Sequence, residues 1–378
     1  MLIVVDEDIP FAAQAFARFG EVRALPAREL NAATIRDADA LIVRSVTRVD
    51  AGLLDGSRIG FVGTATSGVD HIDLGYLRDR GIAFADACGA NANAVVEYVV
   101  AALLHFHERR GLRLSGASLG IIGFGHVGRR VARFAAALGL RIVVNDPPLG
   151  RSTCEPFFRP LDEILACDVV TLHVPLERAG LDPTYHLVND AFIDAMKPGS
   201  ILINTSRGAV ADTESLKRAA LAKRLGGLVL DVWENEPAID MELMKLCQIA
   251  TAHIAGHTLD AKRAAVQRLA DAFTTRCGFD RADIASEQET RHELMCKSVA
   301  DAVRGAFDIA DADRRLRETL DLATTERAAT FDALRAGWPT RREFHVRPIA
   351  FEEGAGTDME TLRALGFCAA ALAEGVPR

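Results

Sequence analysis

Residues 119–128 read Leu-Gly-Ile-Ile-Gly-Phe-Gly-His-Val-Gly, and the glycines at 123, 125 and 128 leave this stretch few ways to fold. Their G-x-G-x-x-G spacing is common by chance, so the flanks decide what it means. The apolar run Leu119–Gly123 predicts a strand entering the turn. Val127, Val131, Phe134 and Leu138 then recur at helical spacing, and Gly139 stands as the stop. Strand, glycine turn and helix together open a parallel βαβ unit. Gly123 makes the tight turn, Gly125 lets backbone approach a pyrophosphate, and Gly128 lets helix and strand pack closely. His126 and Val127 open the helix, whose first N–H groups and partial positive charge suit phosphates. The next predicted strand, Arg141–Asn145, runs into Asp146. A carboxylate there accepts from both ribose hydroxyls of NAD and repels the extra phosphate of NADP.

The rest of the chain fits that frame. At 378 residues it has room for two or three domains. Before the glycine turn, Leu2–Val5, Leu41–Val43, Phe61–Val62 and Ile82–Phe84 read as strands alternating with helical segments. Pro10 to Phe19 forms a predicted helix, with Pro at its first turn and Gly20 past its end. A long helix is expected over Asn93–Arg109. After the turn, Val169–His173, Ile201–Asn204, Gly227–Leu230 and Ile249–Ala250 read as further strands. This alternation predicts an α/β fold of doubly wound parallel sheets. Residues 289–320 read as charge-rich helix, 343–351 as a strand, 354–356 as a loop tip and Met359–Leu372 as a helix, giving a small α+β C-terminal domain.

The 52 acidic and 44 basic residues give a net charge of −8, which does not attract nucleic acid or an anionic membrane. The seven cysteines are scattered without a C-x-x-C, and Met1–Val5 runs directly into Asp6 as a first strand. Both point to reduced thiols in a cytoplasmic protein. No His/Cys/Asp spacing suggests a metal.

Three short segments carry chemistry. Asn204-Thr-Ser-Arg207-Gly, Asp231-Val-Trp-Glu-Asn-Glu236-Pro and His253-Ile-Ala-Gly256-His257 each follow an apolar run. Ligand sites collect outside the carboxyl ends of such strands. Oxidising an alcohol by hydride transfer needs a base for the hydroxyl proton, and His253 is suited to it. Glu236 would hold the ring and stabilise its imidazolium. Arg207 would bind a substrate carboxylate and polarise the oxygen that becomes a carbonyl. Singly each has an ordinary structural reading; jointly, after a dinucleotide turn, they describe one reaction. His71, His105, His107, His173 and His186 lack such support and read as structural.

These motifs resemble the D-isomer-specific 2-hydroxyacid dehydrogenases from the N-terminus to about residue 275. A narrower likeness, to a branch acting on a phosphorylated substrate, rests on Val5-Asp6-Glu7-x-x-Pro10, Leu41-Ile-Val-Arg-Ser-Val-Thr-Arg48, Phe61-Val-Gly-Thr-Ala-Thr-Ser-Gly68, Asn145-Asp-Pro-Pro148 and a C-terminal extension with Arg341-Arg-Glu-Phe344. The resemblance implies two Rossmann/flavodoxin-like domains, 1–92 with 257–284 for substrate and 93–256 for NAD, and a dimerisation domain over 285–378. It implies Arg207, Glu236 and His253 as catalytic residues, and NAD contacts at Asp146, Val174, Thr205, Asp231 and Gly256. Ser45, Thr66, Ser67, Gly68 and His257 are the implied substrate contacts, the substrate being a small phosphorylated hydroxy acid. Arg341 and Arg342 are candidates for reaching a partner's site, although paired arginines are usually solvated. The chain departs from the family at His257, where a Tyr is usual, and at His173-Val174-Pro175, where His-Thr-Pro is usual. The alternatives are another dehydrogenase of the same fold or an NAD-sensing binding protein.

Overall fold

The computed structural model describes residues 1–281, 283–284, 293–338, 341–351 and 359–369. The chain divides into two compact units, one of Met1–Asn91 with Thr258–Glu289 and the other of Ala92–His257 with Thr290–Arg378.

The first unit is built on five parallel strands, β1 (Leu2–Asp6), β2 (Glu21–Leu25), β3 (Ala40–Val43), β4 (Phe61–Thr64) and β5 (Ala83–Asp86), in the order β2-β1-β3-β4-β5. Strands β3 and β4 are buried at every position, which requires cover on both faces. One face packs Phe16, Phe19 and Phe61 around Phe273 of the Leu259–Cys277 helix, with ring centroids 5.0–5.7 Å from Phe273. The other packs Leu53, Leu54 and Leu77. Sequence periodicity did not reveal β2, an edge strand with no fully buried position. Pro10 does not start the helix as expected: the helix spans Ala12–Phe16, because Phe11 before it takes a left-handed φ of 68°.

The second unit carries β6 (Ser118–Ile122), β7 (Arg141–Asn145), β8 (Val169–Leu172), β9 (Ile201–Asn204), β10 (Gly227–Leu230) and β11 (Ile249–Ala250), all parallel, in the order β11-β10-β9-β8-β6-β7. The order reverses at β6, which has β7 on one side and β8 on the other. In such sheets the ligand crevice opens outside the carboxyl ends at that reversal. The Ala92–Arg110 helix is buried along most of its length, with Tyr98, Leu103 and Phe106 in the core.

The C-terminal residues form a third sheet of β12 (Leu294–Cys296), β13 (Pro348–Phe351) and β14 (Cys368–Ala369), also parallel and joined by helices. Three sequence expectations change here. The predicted strand over 343–351 is confined to Pro348–Phe351, with a 3-10 turn over Phe344–Val346 before it. The predicted helix over 289–320 gives way to strand β12 followed by helices Val299–Ala306 and Ile309–Arg317. The predicted helix over Met359–Leu372 ends at Ala364, where Leu365-Gly366 turns the chain into β14. Residues 354–356 lie outside the described residues. Phe307, Phe344, Leu362 and Phe367 join Tyr98, Leu103 and Phe134 in one core, so this segment packs within the second unit. Arg341 is buried, not solvated. Its Nη2 donates to Ala94 O at 2.7 Å and to Glu97 Oε2 at 3.0 Å, and its guanidinium lies 4.1 Å over the Phe307 ring. Glu97 Oε1 accepts from the Phe344 N–H at 2.6 Å.

Candidate active site

The dinucleotide turn follows β6 at the sheet's reversal. Gly123 takes a φ of 91°, and a Cβ there would stand 2.4 Å from His173 O in the turn after β8. A Cβ on Gly128 would stand 2.0 Å from Gly123 O, so strand and helix touch backbone to backbone. At Gly125 a Cβ would meet nothing within 4 Å. The open space lies where backbone must approach a pyrophosphate, and the residues fit the dinucleotide in that respect. Gly125 caps the His126–Ala137 helix, whose first turn holds no acid to compete with a phosphate. His126 is exposed and Val127 partly buried.

Asp146 follows β7. Its Oδ2 accepts from the Phe124 N–H at 2.7 Å and its Oδ1 from Leu149 N–H at 3.0 Å. The acid is thereby tied to the glycine turn itself. Val174 is partly buried, and its Cγ1 lies 3.0 Å from the Cβ position of Gly123. Thr205 Oγ1 is 3.4 Å from His173 Nδ1, and Thr171 Oγ1 is 3.0 Å from Nε2. Burial pushes the His173 pKa down to about 3, so this ring is a neutral link between β8 and the turn after β9.

The turns after β9, β10 and β11 carry the three chemical residues. Asn204 shapes the first: its Nδ2 donates to Arg207 O at 3.0 Å, and its Oδ1 accepts from the N–H and Oγ of Ser206. A Cβ on Gly208 would stand 1.9 Å from the Trp233 carbonyl carbon, so only glycine lets the Arg207 turn lie against the turn after β10. In that second turn Glu236 accepts from the Trp233 N–H through Oε1 at 2.8 Å and from His253 Nδ1 through Oε2 at 2.7 Å. Burial works to raise the Glu236 pKa. The bonds from His253 and Trp233 outweigh it and hold the carboxyl below its ordinary range. A carboxylate on Nδ1 fixes the tautomer that leaves the Nε2 lone pair for a substrate proton.

His253 holds a left-handed φ of 55°. Such a backbone costs about 1–3 kcal/mol and persists where its surroundings over-determine it. Asp231 supplies that constraint. Its carbonyl accepts from the His253 N–H at 2.8 Å, and its carboxylate accepts from Ile254 N, Ala255 N and Thr251 Oγ1 at 2.6–2.9 Å. At 1% exposure this side chain is committed to shaping the His253 turn rather than facing outward, and burial raises its pKa. Gly256 is partly buried in the same turn. His257 Nδ1 donates to Arg335 O at 3.1 Å, in the C-terminal Thr324–Ala336 helix.

The first unit holds the other expected substrate contacts. Ser45 is exposed in the turn after β3, next to Arg44, whose Nε donates to the buried Asp6 at 2.8 Å. After β4, Thr66 Oγ1 lies 2.8 Å from Thr64 Oγ1 and donates to Gly68 O at 2.8 Å. Ser67 Oγ donates to Asn91 Oδ1 at 2.8 Å.

Sequence reasoning missed one grouping. His186, Asp212 and Glu234 bring ligand-type atoms within 4.8 Å of one another. They are 26 and 22 residues apart in the chain, and no local pattern announces them.

A doubly wound sheet with a fitted dinucleotide turn and an Arg, Glu, His set at neighbouring strand ends defines an NAD-dependent dehydrogenase. Residues 95–255 match the family model of the D-isomer specific 2-hydroxyacid dehydrogenase NAD binding domain, and residues 279–366 match a domain of unknown function. An erythronate-4-phosphate dehydrogenase of Hahella chejuensis is 42% identical, with 97% of this chain and 99% of that protein covered. One of Salinibacter ruber is 43% identical over 92% and 93%. A D-lactate dehydrogenase of Aquifex aeolicus, solved with NAD and lactic acid, is 27% identical with a TM-score of 0.60, covering 74% of this chain and 96% of that one. The chain belongs to the erythronate-4-phosphate dehydrogenase family within the D-isomer specific 2-hydroxyacid dehydrogenases.

Proposed function

We propose that this protein oxidises 4-phospho-D-erythronate to 2-oxo-3-hydroxy-4-phosphobutanoate with NAD, a step of pyridoxal 5'-phosphate (vitamin B6) synthesis. The observation that carries the chemistry is the 2.7 Å contact of Glu236 with His253, held in a turn that Asp231 fixes. His253 Nε2 takes the proton of the 2-hydroxyl while Glu236 supports the charge that develops on the ring. Arg207 pairs with the substrate carboxylate and polarises the forming carbonyl. NAD, when bound, accepts the hydride from C2. Gly123, Gly125, His126, Val127 and Gly128 hold its pyrophosphate, and Asp146 its ribose. Val174 offers only backbone and apolar contact, and Thr205, Asp231 and Gly256 shape the nicotinamide end.

Ser45 and the Thr66–Gly68 loop take the anionic groups of the substrate. The Thr66 hydroxyl already donates to Gly68 O and that of Ser67 to Asn91 Oδ1, so the loop's backbone N–H groups are the donors. His257 stands where the family's tyrosine hydroxyl would be, with a shorter reach. We also propose a cytoplasmic homodimer formed through the C-terminal segment; a monomeric sedimentation profile at micromolar concentration would refute the dimer. Among the described residues no helix is long and apolar enough to cross a membrane.

The enzymatic reading is tested by Arg207→Ala and His253→Ala. Both variants should bind NAD with unchanged affinity and lose turnover by about a hundredfold or more. Unchanged turnover in either overturns the assigned roles.

A further inference from the structure

The turns carrying Arg207 and Glu236 share one residue that hydride transfer does not use. His186 lies between β8 and the Asp190–Ala195 helix. Its N–H donates to Ala209 O at 2.9 Å, two residues past Arg207. Val188 N–H donates to Val210 O at 3.0 Å and Asp212 N–H returns to Val188 O at 2.9 Å, so this stretch flanks the Arg207 turn as a short parallel bridge does. The ring reaches the other turn: Nε2 donates to Glu234 Oε1 at 2.7 Å, two residues before Glu236. The second oxygen of Glu234 accepts from the Thr213 N–H at 2.9 Å, beyond the far end of the Arg207 turn. Between these grips, Gly208 lies against the Trp233–Glu234 backbone.

His186 serves both turns from a left-handed φ of 50°, with its ring stacked 4.0 Å from Tyr185. A side chain in that backbone region needs compensation from its surroundings. Here the main chain must meet one turn and the ring another, and an extended residue would direct the ring elsewhere. The grouping with Asp212 and Glu234 has the composition of a metal site. However, 2.7 Å between Nε2 and Oε1 is a hydrogen bond, closer than two ligands each about 2.0–2.2 Å from one tetrahedral ion would stand.

We infer that His186 is a positioning residue that locks the Arg207 turn to the Glu236 turn, its main chain holding the first and its ring, through Glu234, the second. The inference rests on Arg207, Glu236 and His253 being the catalytic set. Glu236 is bonded to the Trp233 N–H within its own turn, so a displaced turn carries the carboxylate away from His253 Nδ1. Misplacement by about 1 Å costs on the order of a hundredfold in rate.

The test is a double-mutant cycle on the full-length enzyme with NAD and 4-phospho-D-erythronate. His186→Ala and Glu234→Ala should each lower kcat about 10- to 100-fold, with the NAD dissociation constant within about twofold of wild type. The double variant should lose no more than Glu234→Ala alone, because Glu234→Ala already cuts the His186 ring bond together with the Thr213 bond. His186→Gln and Glu234→Gln, which keep a donor and an acceptor, should retain kcat within about threefold. A wild-type kcat in either alanine variant, or losses that multiply in the double, overturns the inference. Should His186→Ala fail to fold, the Glu234 pair decides alone: equal activity in Glu234→Ala and Glu234→Gln overturns it. Arg207→Ala in the same assay separates the two levels. If it is inactive while His186→Ala is normal, only this inference fails; if it is fully active, the catalytic reading fails first.

Discussion

At the scale of single residues, Asp146 is the proposed determinant of NAD over NADP. Its two oxygens already accept from Phe124 and Leu149 N–H groups, which orient the carboxylate at the end of β7. A 2'-phosphate would meet that negative charge. Asp146→Ala should therefore cut the preference for NAD over NADP by about tenfold or more, as lost charge-assisted hydrogen bonds do. Steady-state constants for both cofactors measure it, and an unchanged preference would remove the ribose role. Asp231 shows the limit of reading residues one at a time. In sequence it stands with Glu236 in one motif, yet its carboxylate is fully used by Thr251, Ile254 and Ala255. Its bonds act on the backbone that carries His253.

At the scale of elements, the glycine turn separates two demands that its spacing fuses. Gly128 is required by packing, since a methyl would collide with Gly123 O. Gly125 faces open space. Gly125→Ala should leave thermal stability within about 1 kcal/mol of wild type while weakening NAD binding at least tenfold. Gly128→Ala should lower both. Calorimetric unfolding and NAD titration of the two variants distinguish them, and equal NAD binding in Gly125→Ala and wild type would contradict the cradle. The strands of both large sheets were legible because buried parallel strands read as continuous apolar runs, as in Leu41–Val43 and Ile201–Asn204. Strand β2 was not, having no fully buried position, nor was β12, three residues within a charged stretch. The proposed catalytic set stood out because each member follows such a run. His186 was not, because its partners at 209 and 234 are neighbours only after folding.

At the scale of the whole molecule, the C-terminal segment completes the second unit through a buried polar cluster. Glu97 meets Arg341 and the Phe344 N–H with almost no water. Burial, with the Glu343 charge adding to it, outweighs Arg341 and raises the Glu97 pKa to about 8. Between the ordinary value of 4.5 and about 8, the folded protein therefore holds a proton that the unfolded chain releases. Folding stability falls as pH rises through that window and levels off above it. Thermal unfolding at several pH values should show the decline, on the order of a few kcal/mol, and Glu97→Gln should flatten it. An unaltered slope in the variant would place the decline elsewhere. The segment's place in the core was hidden because Phe307, Phe344 and Phe367 are scattered through charged sequence.

NADH formation, followed by absorbance with purified full-length protein, reads the reaction itself. With 4-phospho-D-erythronate and NAD the enzyme should turn over, with kcat/KM at least tenfold above that for 3-phosphoglycerate or unphosphorylated 2-hydroxy acids. No NADH from 4-phospho-D-erythronate, alongside turnover of one of the others, would contradict it.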